Sequence, residues 1–142
     1  MKAKLVDTVD ELNEAAELLL QLRPTYSLDS ILAQIKHQQA QGYNLAITIL
    51  DDKVVCVAGF VVTEKLAWGK HMYVDDLVTD ENTRSKGAGR AMIDWLKSLC
   101  RELGCRELHL DSGMQRKDAH RFYYREGMES TGYHFAAPVS SE

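Results

Sequence analysis

A basic, glycine-rich turn between Arg84 and Arg90 carries the residue types best suited to chemistry in this sequence. It joins a strand-like run to a long helical pattern. The first turn of a helix leaves backbone N–H groups unpaired and carries a positive dipole end, so it binds phosphate readily. Gly87 and Gly89 allow a close backbone approach to an anion, and Arg84, Lys86 and Arg90 add positive charge. The turn is therefore predicted to hold a phosphate-bearing ligand.

Two common phosphate motifs do not fit this turn. It has no Gly-Lys-Ser/Thr ending of the Walker A type. It is also not a GxGxxG dinucleotide motif, because no third glycine follows Gly89 at the required spacing. The alternative is an ordinary glycine-containing loop that enters a helix. The strand before the turn, the amphipathic helix after it and its basic residues favour the anion site.

The elements that must position this turn follow from hydrophobic periodicity. The patterns predict ten elements in order: strand 2–6, helix 10–22, helix 27–41, strands 43–50, 53–63 and 70–79, helix 87–103, strand 107–110, helix 118–125 and strand 129–135. Asp51-Asp52 predicts a tight turn between the second and third strands. The order β-α-α-β-β-β-α-β-α-β predicts an α/β fold, with a mixed sheet and helices on both faces.

Length, net charge and hydrophobicity argue against several other classes of protein. A length of 142 residues fits one domain, 1–142. A net charge of -4 argues against a nucleic-acid partner, because phosphate backbones favour clustered Lys and Arg. No apolar run approaches the roughly 20 residues of a membrane span, so we expect no membrane partner and a cytoplasmic location. A homodimer is left open.

The cysteines and histidines do not predict a metal site. Cys56, Cys100 and Cys105 are odd in number and lack CxxC spacing, so we expect small buried side chains. Four of the five histidines could suggest a metal site, but they lie far apart without HxxxH or HExxH spacing: His71, His109, His120 and His134. Metal binding is therefore not expected.

Two motifs together resemble the GNAT superfamily of N-acetyltransferases. The turn resembles that family's R/Q-x-x-G-x-G/A signature: Arg84-Ser85-Lys86-Gly87-Ala88-Gly89. A downstream segment resembles its A-x-x-F-Y-x-x-x-G-F helix: Ala119-His120-Arg121-Phe122-Tyr123-Tyr124-Arg125-Glu126-Gly127-Met128. The chain departs from the family at Arg116, where an Asn is common, and at Met128, where an aromatic is usual. The first departure affects one cofactor contact that the resemblance implies, and the second is a volume-tolerant core exchange.

The resemblance implies the GNAT fold, with a mixed, mostly antiparallel twisted sheet whose fourth and fifth strands splay apart. It also implies acetyl-CoA as donor and a primary amine of a small molecule or protein as acceptor, which attacks directly. The main chain of Leu77 and Val78 would pair with the pantetheine arm. The backbone amides of the turn would hold the pyrophosphate: Arg84, Ser85, Lys86, Gly87, Ala88, Gly89 and Arg90.

Tyr123 falls at the position of the family's general acid, which would protonate the departing thiolate. A phenol has a pKa near 10, close enough to that of a thiol to share a proton in a desolvated site. Tyr124 lies about 100° away on a helix, and the register with Phe122 and Gly127 favours Tyr123. A core tyrosine is the alternative.

Asp75 and Asp76 lie within an otherwise apolar strand, and a carboxylate near the acceptor could take its proton. Adjacent strand residues point to opposite faces, so only one of the two can face the cleft. The sequence does not decide which one, and a solvated charge is the alternative for each. With Asp111 and Asp118, they would suit a cationic amine.

Two functions of different class remain open from the sequence. One is an acetyl-CoA-dependent N-acetyltransferase, and the other is a non-catalytic acyl-CoA-binding sensor or regulatory module. The presence of Tyr123 favours the enzyme, because a binding module has no need of a general acid. A nucleotide-binding protein of another fold would need a phosphate motif that the sequence lacks.

Overall fold

In the computed structural model of the chain, residues 1–84 and 86–140 are described. Ser85, part of the predicted phosphate turn, lies outside the described residues. The elements follow in order: β1 (Lys2–Leu5), α1 (Val9–Leu22), α2 (Leu28–Gln39), β2 (Asn44–Leu50), β3 (Lys53–Lys65), β4 (Gly69–Thr79), a 3-10 turn (Glu81–Thr83), α3 (Ala88–Leu103), β5 (Glu107–Leu110) and α4 (Lys117–Arg125). They form two compact units, Met1–Leu110 and a second unit that begins at Asp111.

The sheet of the first unit keeps its strands in sequence order, β1-β2-β3-β4-β5. The first four strands are antiparallel, and β5 pairs parallel with β4 after the α3 crossover. Asp51 and Asp52 form the two-residue turn between β2 and β3, with φ of 51° and 62°. Such left-handed pairs match the twist of a hairpin, and Asp tolerates them better than most residues. The predicted mixed, mostly antiparallel sheet is confirmed.

Helices cover both faces of this sheet, as predicted. On one face α1 and α2 pack against a buried cluster that includes Leu45, Ile47 and Val78. On the other face α3 packs against a cluster that includes Ala46 and Phe60. The alternation of Leu45, Ala46 and Ile47 between the two faces is the period-two pattern of a strand. Among the described residues, no helix combines the length and apolarity needed to cross a membrane.

The end of α1 is set by Pro24. Proline disfavours helical geometry in the residue before it, and Arg23 adopts φ -121° and ψ 68°. The helix therefore stops at Leu22, and Arg23 becomes its C-cap, with its N–H bonded to the Leu19 carbonyl. The following helix, α2, begins after Ser27, whose side chain forms a reciprocal capping box with Ser30.

The second unit contains α4 and an extended tail. The helix ends before Gly127, which adopts φ +85°, a left-handed conformation that favours glycine. The predicted strand 129–135 is wrong, because the described residues after Arg125 form no helix or strand. The segment has few apolar side chains, and Tyr133 and Phe135 are 81% and 90% exposed. Gly132 further weakens a strand there, because it adds backbone entropy and no side chain to pack.

Candidate active site

The C-terminal half of β4 offers a free backbone edge. Strand β5 pairs with β4 only from His71 to Val74. Beyond that point β4 continues to Thr79 and pairs with β3 on its other side. In the part of the chain that the structure describes, no strand covers the remaining edge at Leu77 and Val78. The main chain of this stretch can therefore bind an extended ligand as a strand binds a peptide, with one of these two adjacent residues directing its N–H and C=O groups to the open edge.

The N-terminus of α3 lies a short loop after β4 and suits an anion. Its N-cap is Gly87, which adopts φ +87° and provides no side-chain cap. The first turn contains no acidic residue, so the unpaired N–H groups and the positive dipole end are not offset. Arg84, Lys86 and Arg90 are exposed around this end. The residues present therefore fit a pyrophosphate group.

Asp80 fixes the start of this loop. Its buried carboxylate accepts the backbone N–H of Asn82 and the side-chain amide of Gln21 on α1, at 3.2 and 3.3 Å. These bonds, the first above all, lower the pKa of Asp80 below its usual value. The Asp80 carbonyl also accepts the hydroxyl of Thr83 at 3.2 Å. The sequence interpretation did not single out Asp80 in this role, although an Asp whose side chain accepts the backbone N–H two residues on is a common turn signal.

A β-bulge separates the two aspartates of β4. Gly59 of β3 pairs with Asp76, and Phe60 pairs with Val74, so Asp75 is the extra residue. Bulges re-aim side chains and often lie near active sites. Asp75 is exposed, whereas Asp76 is half-buried and faces the side of the sheet that carries α1 and α2. The structure thus distinguishes two residues that the sequence left equivalent.

Both carboxylate oxygens of Asp76 accept hydrogen bonds. One accepts the Nε and a terminal N–H of Arg23, at 3.0 and 2.9 Å. The other accepts the hydroxyl of Tyr43 at 2.7 Å. Arg23 also donates to the Asp75 carbonyl at 3.2 Å. The sequence interpretation missed Arg23 and Tyr43, and the only signal available was Pro24, which holds Arg23 outside the helix.

Gly59 makes room for Tyr43. A Cβ at Gly59 would lie 1.7 Å from the Tyr43 hydroxyl, so only glycine fits beneath the ring. Burial raises the pKa of the Tyr43 phenol far above its ordinary value, and the Asp76 carboxylate raises it further. Tyr43 therefore stays protonated and donates to Asp76 at neutral pH. Gly59, Tyr43 and Asp76 therefore depend on one another. The absence of a side chain at Gly59 leaves space for the Tyr43 ring, whose hydroxyl bonds the Asp76 carboxylate.

Asp76 and its partners border a cavity of about 130 Å³ between the sheet and the first two helices. Its lining combines one carboxylate, one guanidinium, one amide and two phenols with three aliphatic side chains. The lining residues are Leu19, Arg23, Tyr26, Ile31, Ile35, Gln38, Tyr43 and Asp76. A small organic group with both polar and apolar parts would match this lining.

Within the second unit, α4 presents Tyr123 and Tyr124 differently. Tyr123 is half-buried with its ring 5.5 Å from that of Phe122, whereas Tyr124 is 59% exposed. This difference agrees with the motif register that favours Tyr123. Arg116 is the N-cap of α4 and makes no side-chain cap bond, so the departure from Asn forgoes a favourable cap. The general-acid role of Tyr123 stays a prediction.

Two of the three cysteines, Cys56 and Cys100, are not placed to act as nucleophiles. Cys56 and Cys100 are buried, as predicted, and Cys105 is half-buried. Burial raises the pKa of Cys56 and of Cys100 to about 11, so both thiols remain protonated at neutral pH. Among residues 1–84 and 86–140, no group of three or more His, Cys, Asp or Glu side chains is placed to hold a metal ion.

Known proteins are similar to this chain in sequence and in fold. A family model described as the Acetyltransferase (GNAT) family matches residues 7–128. YhdJ of Bacillus subtilis (strain 168), described as an uncharacterized N-acetyltransferase, is 30% identical over 96% of this chain and 97% of its own. Glucosamine 6-phosphate N-acetyltransferase of Arabidopsis thaliana is 27% identical over 91% of this chain and 90% of its own.

A solved structure extends the comparison to the fold. The aminoglycoside N-acetyltransferase AAC(6')-Iy, in complex with CoA, matches with a TM-score of 0.85 at 17% identity, over 97% of this chain and 93% of that one. The family match includes both the phosphate turn and the α4 motif, which are the segments that carried the resemblance in the sequence. This chain belongs to the Acetyltransferase (GNAT) family.

Proposed function

We propose that this protein transfers the acetyl group of acetyl-CoA to a primary amine of a small molecule or a protein, by direct attack of the amine on the thioester. One observation carries the proposal. The free edge of β4 and the uncapped α3 N-terminus follow directly in the chain from Asp76, the carboxylate that borders the cavity. A donor along the edge and an acceptor in the cavity would therefore meet at one strand.

Acetyl-CoA, the donor, would bind mainly to backbone groups of β4 and of the turn before α3. Leu77 and Val78 offer main-chain groups to the pantetheine arm, and the amides of residues 84–90, Ser85 included, hold the pyrophosphate. Three exposed cations around the turn, at Arg84, Lys86 and Arg90, balance the charge of the phosphates. The structure of AAC(6')-Iy with CoA supports this placement by its shared fold. Bound acetyl-CoA supplies the activated acyl group.

Asp76 would receive the acceptor amine. An amine must lose a proton to attack a carbonyl carbon, and Asp76 can take that proton directly or through a water molecule. The new bond joins the amine nitrogen to the acetyl carbon, and the bond from that carbon to sulfur breaks. Asp75, exposed at the bulge, is the second candidate base. Arg23 and Tyr43 hold Asp76 in place during these steps.

Tyr123 would complete the reaction by donating its phenolic proton to the thiolate as the carbon–sulfur bond breaks. General acid catalysis of this kind contributes about 10²–10⁴-fold. The half-buried setting of the Tyr123 ring and its place in the family motif support this role. The exposed neighbour Tyr124 lacks both features.

Two measurements test the proposal. Acetyl-CoA should raise the melting temperature, because a ligand of the folded state stabilises it, and ATP or NAD should not. Thiol release from acetyl-CoA should then depend on an added primary amine. Equal shifts with ATP and none with CoA would overturn the donor assignment. CoA binding without transfer to any amine would instead indicate the non-catalytic acyl-CoA-binding module.

A further inference from the structure

We propose that the acceptor is a zwitterion, a primary amine that also carries one oxyanion group such as a carboxylate or a phosphonate, and that Arg23 binds the oxyanion. This inference rests on the proposed function, because it names the substrate class of the same site. The cavity beside Asp76 carries it. The two charged side chains that line the cavity have opposite signs, and each keeps a hydrogen-bonding position that a ligand can fill.

The lining of the cavity has no net charge. Of the lining residues, Arg23 and Asp76 are the charged ones, and their charges cancel across a contact of 2.9 Å. A simple ammonium ion would therefore add a positive charge that the lining does not balance, whereas a zwitterion adds none. Asp75 is exposed and lies outside the lining, where water weakens its field.

Asp76 has room for one more hydrogen bond. A carboxylate offers about four lone-pair positions. Arg23 donates twice to one oxygen, and Tyr43 donates once to the other. The remaining position can accept an N–H of the acceptor amine. The carboxylate thus provides the negative half of a site for a zwitterion.

Arg23 provides the positive half. Its Nε donates to Asp76, and one of its terminal nitrogens, Nη2, donates to Asp76 and to the Asp75 carbonyl. Among the described residues, no hydrogen bond uses Nη1, which carries the other terminal N–H groups of the guanidinium. The side chain is 47% exposed, so a ligand can reach it. Guanidinium N–H groups form charge-assisted hydrogen bonds with carboxylate, phosphonate and phosphate oxygens.

The guanidinium is held in position without a ligand. The backbone N–H of Arg23 bonds the Leu19 carbonyl at 2.9 Å, and its own carbonyl accepts the N–H of Tyr26 at 3.2 Å. At the other end of the side chain, the contacts with Asp76 and the Asp75 carbonyl fix the head group. Because the residue is held at both ends, little conformational freedom is lost when an anion binds.

The amine and the oxyanion of the acceptor must lie close together. Nη1 of Arg23 and the open position of Asp76 belong to side chains that bond each other directly, so a short spacer joins the two ligand groups. Leu19, Ile31 and Ile35 are buried aliphatic residues of the same lining. They suit a spacer of methylene groups, because a further polar group would lose its hydration against them.

The test compares amino acids with their primary amides. The series is glycine, 3-aminopropanoate, 4-aminobutanoate and 5-aminopentanoate, and each amide replaces the carboxylate with an uncharged group of similar shape. At the best chain length, we expect kcat/KM for acetylation to be at least about tenfold higher for the acid, which corresponds to about 1.4 kcal/mol. The reason is that the amide loses the charge-assisted bond to Arg23.

Two further arms define the oxyanion and the charge. Comparison of 2-aminoethylphosphonate with 3-aminopropanoate distinguishes a phosphonate from a carboxylate, and propylamine is the uncharged-arm reference for both. A diamine, 1,4-diaminobutane, and a lysine-containing peptide complete the panel. Values of kcat/KM for the acids and phosphonates no higher than those for the amides and propylamine would overturn the inference.

Substitution of Arg23 tests its role as the anion-binding residue. The readout is the ratio of kcat/KM for the acid to that for its amide, because Arg23 also holds Asp76 and its loss should slow every acceptor. In Arg23→Gln the ratio should fall to within about twofold of unity, and Arg23→Lys, which keeps a cation, should retain part of it. Arg101→Gln removes the same charge from an exposed site on α3, across the sheet, and should leave the ratio unchanged.

Calorimetric binding of the acid and of its amide to the CoA-bound protein gives the same comparison without turnover. The preference for the acid should again disappear in Arg23→Gln and persist in Arg101→Gln. A preference that survives in Arg23→Gln would overturn the inference.

The outcomes separate this inference from the proposed function. Acetylation of 1,4-diaminobutane or the peptide, with no preference for the zwitterions, would leave the acetyltransferase intact and overturn the substrate class. Binding of acetyl-CoA with no transfer to any member of the panel would overturn the proposed function and this inference with it.

Discussion

The donor side and the acceptor side of this site are built in different ways. The donor side is local in sequence, because residues 77–90 contain the free β4 edge, the loop and the α3 N-terminus. It offers mainly backbone groups. The acceptor side draws side chains from α1, α2, β4 and the residue before β2, separated by more than fifty positions. Its chemistry depends on side chains that only the fold brings together.

This difference determines how ligand binding on each side should respond to a substitution. A backbone site tolerates most side-chain exchanges and keeps its ligand, provided that the glycines and the helix start remain. A side-chain site should be more sensitive, because replacing one lining side chain can remove a contact that its ligand needs. The two sides should therefore respond separately to mutation.

The largest expected effect concerns the proton given to the leaving thiolate. Tyr123→Phe keeps the ring volume and removes only the hydroxyl, so turnover should fall about 10²–10⁴-fold. The dissociation constant of CoA should change much less, because the hydroxyl acts mainly as charge develops on sulfur. Steady-state acetylation and calorimetric CoA binding measure the two quantities.

Tyr124→Phe is the matched control for this prediction. Its side chain is exposed, and its loss of a hydroxyl should leave turnover close to that of the parent protein. A large loss in Tyr124→Phe alone would show that the helix register assigned to the acid is wrong. Full activity in Tyr123→Phe would assign the proton to water or another group.

CoA binding should weaken when a negative charge is added at the N-terminus of α3. Gly89→Asp places a carboxylate in the first turn, where it repels a pyrophosphate and competes for the same N–H groups. We expect CoA affinity to fall by at least about tenfold, which corresponds to about 1.4 kcal/mol. Calorimetry checks the affinity, and circular dichroism checks the fold.

Ser98→Asp adds the same charge to the exposed middle of α3 and serves as the control. It should bind CoA like the parent protein. If Gly89→Asp also binds CoA normally, then the phosphates lie elsewhere and the donor side has been misplaced.

A smaller effect should follow from crowding Tyr43. Gly59→Ala puts a Cβ 1.7 Å from the present position of the Tyr43 hydroxyl, so the ring must move away from Asp76. Overpacking of this kind costs about 1–3 kcal/mol of unfolding free energy. Turnover should fall while CoA affinity holds, because Tyr43 belongs to the acceptor side.

Thermal unfolding, kinetics and calorimetry together test this prediction. Gly132→Ala has open space around its Cβ and should change none of the three. An unperturbed Gly59→Ala variant would show that the Tyr43 contact with Asp76 is not required.

The sequence predicted the framework and the donor side better than the acceptor side. Nine of the ten expected elements are present, because each carries a clear hydrophobic period or a capping residue. The exception, the strand 129–135, lacked the alternating apolar side chains that a strand must bury. The glycine-rich turn could be recognised because its chemistry lies within one short segment.

The acceptor side could not be assembled from sequence. Nothing in the sequence links Arg23 and Tyr43 to Asp76, since that contact depends on how α1 and β2 pack on the sheet. The bulge at Asp75 has no signal within β4 itself, although a lone glycine such as Gly59 on the paired strand often marks a bulge. The bulge decides which aspartate faces the helices. Sequence periodicity assumed strict alternation, so it left the two residues equivalent.

The central claim is that Asp76 serves the acceptor and that the donor does not depend on it. The direct measurement is kcat/KM for the amine together with the CoA dissociation constant in Asp76→Asn. We predict that kcat/KM falls at least about tenfold, since hydrogen bonds to a charged group are worth about 1.5–3 kcal/mol, while CoA affinity changes by less than about twofold. An equal loss of CoA affinity, or an unchanged kcat/KM, would contradict the account.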